Sequence, residues 1–119
     1  MKQSQGFLYA LTATLLCAQA LPAAAQTWPA RSVRIISPFA PGGGNDAVAR
    51  LLAAKFTEQI GGTYVVENRG GSGGLIGADI VAKAAPDGHT LLITSPEFAI
   101  NPSMRSKMPY DTFKDFCTR

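Results

Sequence analysis

Val33-Arg34-Ile35-Ile36-Ser37-Pro38-Phe39-Ala40-Pro41-Gly42-Gly43-Gly44-Asn45-Asp46 carries the first decision about this chain. A short β-branched run is closed by two prolines. Three glycines follow, then a residue whose side chain can cap a helix, with Asn45 the expected cap and Asp46 placed where the dipole favours a negative charge. Downstream, Ala47, Val48, Leu51, Leu52, Phe56 and Ile60 recur at helical spacing, with Arg50, Lys55 and Glu58 off that stripe. Gly61-Gly62 stops the helix. Tyr64-Val65-Val66-Glu67 reads as a second strand and residues 69–74 as a Gly/Ser loop. Residues 75–84 read as a second helix with Ile76, Ile80 and Val81 as its stripe. Pro86-Asp87-Gly88 is a turn. Residues 90–94 are a third strand, and residues 96–116, with three prolines, offer no clear long element.

The order β-α-β-α-β with continuous apolar strands predicts an α/β fold: a parallel sheet with helices on both faces. Right-handed crossovers place strand one between strands two and three. All three strands then end at one edge, at loops 38–46, 68–77 and 95–101. Ligands of open α/β sheets bind at such an edge, beside the reversal in strand order.

Composition bounds the function. The chain has 119 residues, 46% hydrophobic and 16% charged, too apolar for a solvated polyelectrolyte and short enough for at most one domain. The net charge of +3 comes from scattered basic residues without an aromatic ladder, so no nucleic-acid partner is expected. Residues 1–25 read as a secretory signal. Lys2 is the basic region, Phe7 to Leu21 the apolar region, and Pro22-Ala23-Ala24-Ala25 the cleavage site before Gln26. That apolar stretch is shorter than the roughly 20 residues a bilayer span needs. A lipid anchor on Cys17 would need a small residue before it, and Leu16 stands there. After cleavage only Cys117 remains, and one cysteine cannot close an internal disulfide.

The first loop leads into a helix N-terminus, where glycines let backbone amides face a ligand and the dipole favours an anion. Gly70-Gly71-Ser72-Gly73-Gly74 repeats the device at the second helix. Two such loops side by side suit a small carboxylate or phosphate. Glycines that merely make tight turns are the plainer reading of either loop alone. Two sharper motifs compete. Gly42-x-Gly44-x-x-Ala47, with Glu67 ending the next strand, fits a dinucleotide fingerprint and keeps a dinucleotide-binding half domain of an oxidoreductase as the alternative. Gly70-x-Ser72-x-Gly74 fits a nucleophile elbow, but His89, the single histidine, precedes strand three at the opposite sheet edge, roughly 17 Å away across a five-residue strand. One histidine and one mature cysteine make no metal cluster, and no cofactor or catalytic residue is expected.

The pieces WPARSVRIISPFAPGGGNDAVARLLA, VVENRGGSGGLIGADIVAKAAPDGHTLL, AINPSM and MPYDTFKDF resemble the Bug family of periplasmic solute receptors, the substrate-binding proteins of tripartite tricarboxylate transporters. The resemblance implies a non-enzymatic, monomeric receptor with a two-lobed type II periplasmic-binding-protein fold, residues 26–119 forming the N-terminal part of lobe one. It implies a small carboxylate ligand, membrane transporter components as partners, and a periplasmic location. By the same resemblance the ligand loops fall on Phe39, Ala40, Pro41, Gly42, Gly43, Asn45 and Asp46, then Ser72, Gly73 and Gly74, then Thr94 and Ser95. Asp46 is the uncomfortable member, because a carboxylate repels a carboxylate. A role in capping the helix, ordering loop amides or holding a water suits it better. Thr94-Ser95-Pro96-Glu97-Phe98 departs from the Ser/Thr-rich third loop common in the family. The family chain also continues past KDF where this one ends, so the sequence reads as a truncated copy. Such a copy is expected to be aggregation-prone or partly unfolded, and to bind carboxylates no tighter than millimolar.

Overall fold

The computed structural model describes residues 27–116; the leader with Cys17 and Gln26, and Cys117, lie outside them. The elements run β1 (Val33–Ser37), α1 (Gly44–Gln59), β2 (Tyr64–Asn68), a single 3-10 turn (Ser72–Gly74), α2 (Leu75–Ala82), β3 (Thr90–Leu92) and α3 (Glu97–Met104). The sheet is three-stranded and parallel in the order β2-β1-β3, as the crossover rule predicts. Val33 pairs with Tyr64 and Ile36 with Glu67 on one side; Ile35 pairs with Leu91 and Ile36 with Leu92 on the other. The ladder continues past the end of β3, where the Ile93 amide donates to the Ile36 carbonyl at 3.0 Å.

Strand alternation divides the core. Val33 and Ile35 face α1 and pack with Ala49, Ala53 and Tyr64, with Phe56, Val66, Leu91 and Ile93 around them. Ile36, in register with Leu92, faces the other way. Leu92 belongs to the cluster of Leu75, Ala78 and Tyr110, which Phe98 and Phe116 close with ring centroids 4.9 Å apart. One helix therefore covers each face of the sheet near β1. Ile36 and Val33 are fully buried.

Four expectations need correction. The helix cap is Gly43, in extended conformation and without a side-chain cap bond, not Asn45, because the helix starts two residues earlier. The buried stripe of α1 is Asp46, Ala49 and Ala53, whereas Val48 and Leu51 are 49% and 62% exposed. Small alanines let the helix approach strands that already fill the space with Val33, Ile35 and Tyr64. On α2 the buried residues are Leu75, Gly77 and Ala78, while Ile76 is exposed. Finally, residues 97–104 form a helix despite Pro102 inside it. Glu97 suits its first turn, and Phe98 stacks on Tyr110 at 6.0 Å.

Candidate functional site

The three loops that leave the C-terminal ends of β1, β2 and β3 lie at one sheet edge, as the parallel pairing of the strands requires. Loop one reaches α1 through Pro38, which is fully buried, half-buried Phe39, and exposed Ala40, Pro41, Gly42 and Gly43. Gly42 sits at φ +82°, a conformation that favours glycine. Its amide donates to Asp46 Oδ2 at 3.0 Å and so is spent within the protein. The Ala47 amide returns to the Gly43 carbonyl at 3.0 Å. The amides of Gly44, Asn45 and Asp46 are the first-turn donors that a helix leaves without an internal partner.

Asp46 is the hub of this edge. Its Oδ2 also accepts from Arg50 Nε at 3.0 Å, and its Oδ1 accepts from Asn68 Nδ2 at 3.0 Å. Asn68 Nδ2 lies 3.2 Å from the Phe39 carbonyl as well, so the end of β2 is tied to both ends of loop one. Of the roles weighed for Asp46, the structure shows a bond from one loop amide, that of Gly42, and no side-chain cap of the helix. Asn68 and Arg50 were not legible as site residues. Asn68 reaches its partners 22 and 29 positions away, a distance along the chain at which local patterns carry no signal.

Loop two is wound through positive φ at Ser72 (+50°), Gly73 (+65°) and Gly74 (+85°) and enters α2 directly. It touches loop one: a Cβ on Gly74 would stand 3.6 Å from Pro38 Cβ and 3.8 Å from Phe39 Cζ. From the other side α3 holds it, with Asn101 Nδ2 donating to the Gly73 carbonyl at 3.1 Å and Arg105 to the Ser72 carbonyl at 3.3 Å. Both residues lie in the stretch that offered no clear long element. In loop three, Thr94 is half-buried and the Ser95 hydroxyl donates to Glu97, which holds that carboxyl below its usual range. All three predicted loops thus share one edge, and loops one and two are in direct contact.

The competing motifs do not assemble. Ser72 follows β2 at the C-terminal edge, whereas the His89 carbonyl accepts the Arg34 amide at the start of β3, at the opposite edge. Glu67 binds Arg34 through both oxygens, at 2.7 and 3.0 Å, and Arg69 at 3.1 Å, so its carboxylate is committed to two arginines. Among the described residues no group of three His, Cys, Asp or Glu could hold a metal. A shallow concavity of about 550 Å³ lies on the C-terminal segment, lined by Pro102, Met108, Tyr110 and Phe113 among others, away from the three loops.

Three carboxyls are held down to about 2. Asp46 is lowered by Arg50 first, then by the Gly42 amide and Asn68; Glu67 chiefly by Arg34; Asp87 by the His89 amide and then Arg31. In the unfolded chain these groups would take up protons near 3.8 to 4.5. Their contribution is therefore fully present above those values and is lost as pH falls through them towards 2. Melting midpoints followed by circular dichroism should be level from about pH 7 to about pH 5 and fall steeply between about pH 4 and pH 2. A midpoint unchanged down to pH 2 would contradict these pairings.

The profile described as the tripartite tricarboxylate transporter family receptor, TctC, matches residues 48–118. The chain belongs to this receptor family. The UPF0065 protein in the tcbD-tcbE intergenic region of Pseudomonas sp. (strain P51) is 43% identical over 111 residues, covering 93% of this chain and 32% of its own length. BugT of Bordetella pertussis is 44% identical over 98 residues, 81% of this chain and 30% of that protein. The chain spans about a third of the length of these curated relatives. Among solved structures, periplasmic binding protein BugD matches with TM-score 0.70 and 42% identity, over 74% of this chain and 29% of that one. R. palustris Rpa4515 with adipate matches at 0.67 and 41%, over 71% and 29%. MatC from Rhodopseudomonas palustris with bound malate matches at 0.62 and 40%, over 74% and 30%. The expected fold class, a parallel α/β sheet of the periplasmic-binding-protein type, is the one these TctC and Bug structures share with the chain.

Proposed function

We propose that residues 26–119 supply one wall of a carboxylate-binding cleft, the N-terminal part of lobe one of a two-lobed receptor. That receptor delivers its ligand to the membrane components of a tripartite tricarboxylate transporter. It works in the periplasm as a monomer, exported by the leader at residues 1–25, and performs no catalysis. The observation that carries this reading is the pair of helix N-termini, α1 and α2, delivered to one sheet edge by adjacent parallel strands. The first turn of a helix carries amides without an internal partner, and hydrogen bonding and the helix dipole both favour an anion there. Adipate and malate in the solved relatives support a small dicarboxylate as the ligand class. Contacts are proposed from the Phe39–Gly43 loop and Asn45, from Ser72, Gly73 and Gly74, and from Thr94 and Ser95.

Gly43→Val tests this reading. A Cβ at Gly43 would meet only the Ala40 carbonyl, at 3.5 Å, so the fold accommodates it, and Gly43 is not at positive φ. The larger side chain stands in the way of an anion approaching the first turn. Loss of an amide bond to a charged ligand costs about 1.5–3 kcal/mol, or roughly tenfold or more in affinity. Titration calorimetry should show malate binding to the protein. That binding should weaken at least about tenfold in Gly43→Val, while stability falls by no more than about 1 kcal/mol, the cost of valine at a helix cap. Equal affinity in both proteins would overturn the assignment of loop one.

A further inference from the structure

Asp46 presents a contradiction to a carboxylate site: an acceptor-only, ionised group among the very amides that should receive an anion. Its geometry resolves the contradiction. Only 6% of its side chain is exposed. Oδ2 already accepts two donors, the Gly42 amide and Arg50 Nε, and Oδ1 accepts Asn68 Nδ2. Asn68 in turn reaches the Phe39 carbonyl, and Arg50 Nη2 reaches Asn68 Oδ1 at 3.4 Å. Loop one, α1 and the end of β2 are thereby fastened at a single carboxylate. The charge of Asp46 is balanced by Arg50 inside the protein.

We propose that Asp46 is the positioning residue of this site: clasped by Asn68 and Arg50, it fixes the path of loop one so that the first-turn amides of α1 face outward, and it makes no contact with the ligand. This rests on the carboxylate reading above. The clasp predicts the opposite sign from a direct contact. If Asp46 faced the ligand, removing its charge would relieve repulsion and tighten binding. As the clasp, it cannot be neutralised without loss. An amide at position 46 offers one acceptor oxygen and turns an N–H₂ toward groups that are themselves donors. Loop one then loses the Gly42 or the Asn68 tether.

The test is malate affinity measured by amide chemical shifts in the chain and in the variants Asp46→Asn, Asn68→Ala and Ile35→Val. Ile35 is a buried core residue away from the loops and controls for stability alone. Asp46→Asn and Asn68→Ala should each weaken malate binding by about tenfold, as expected when a bond to a charged group is lost. Both should also displace the unbound Gly43, Gly44 and Asn45 resonances. Ile35→Val should lower the melting midpoint and leave affinity and those resonances unchanged. Tighter binding by Asp46→Asn, or unchanged binding by Asn68→Ala, would overturn the proposal. An equal loss in Ile35→Val would reduce the effect to stability and overturn it too. Absence of malate binding in the parent chain would defeat the carboxylate reading itself, an outcome distinct from either. If Asp46→Asn does not fold, Asn68→Ala carries the test alone, since it removes the tether and leaves Asp46 its Arg50 and Gly42 partners.

Discussion

Gly77→Val should be the most damaging single substitution at the functional edge, lowering stability by about 3 kcal/mol or more, at the top of the range for overpacking. A Cβ at Gly77 would stand 2.7 Å from Pro38 Cβ, 2.9 Å from Pro38 Cα and 3.0 Å from the Arg69 carbonyl. Two of those atoms belong to backbone, so no side-chain rotation relieves the overlap. Pro38 opens loop one and Gly77 lies in the first turn of α2. Their contact is what brings the two helix N-termini together, so valine there drives apart the two groups of amides as well as costing stability. Gly44→Ala is the matched control. A Cβ there meets nothing within 4 Å, and alanine is the better helix former. Urea titration should show a large drop in midpoint for Gly77→Val and none for Gly44→Ala. A wild-type midpoint in Gly77→Val would mean that α2 does not lie against Pro38.

Ile36→Ala should cost about 2–5 kcal/mol, the range for deleting a large aliphatic side chain from a packed interior. Ile36 is fully buried in the central strand, paired with Glu67 on one side and Leu92 on the other. For a domain of this size that loss is comparable to the whole stability, usually about 5–15 kcal/mol. The companion variant is Leu51→Ala. Apolar spacing alone puts Leu51 in the core stripe of α1, yet it is 62% exposed. The fold therefore predicts a change within about 0.5 kcal/mol, as for surface substitutions generally. Denaturant midpoints of the two variants separate the possibilities, and a loss at Leu51 equal to that at Ile36 would restore the stripe read from spacing.

That contrast shows where the sequence was readable and where it was not. Strand identity and order followed from β-branched runs, glycine and proline punctuation and the handedness of crossovers, all of which act locally or as topological rules. The inward face of α1 did not. Val48, Leu51 and Leu52 satisfy a hydrophobic pattern better than Ala49 and Ala53 do. The helix nonetheless buries its small residues, because close approach to a filled sheet favours them, and because Asp46 must face inward to reach Asn68. A buried aspartate on a core stripe has no signature in hydropathy. The α3 helix was hidden by Pro102, and its anchor to Gly73 through Asn101 spans 28 positions. The site was legible as loops and illegible as a clasp. Glycine clusters mark where backbone approaches a ligand, whereas Asn68, Arg50 and Asn101 act through tertiary hydrogen bonds that only the folded chain brings about.

The central claim is that orphan amides at the edge shared by loops one and two receive a carboxylate. Titration of the isotopically labelled chain with malate, and separately with its uncharged dimethyl ester, tests this most directly. The account predicts saturable shifts for malate at the Gly43, Gly44 and Asn45 amides and at Leu75 and Ile76, with no such shifts for the ester. Shifts confined to the Tyr110–Phe113 concavity, or equal responses to acid and ester, would contradict it.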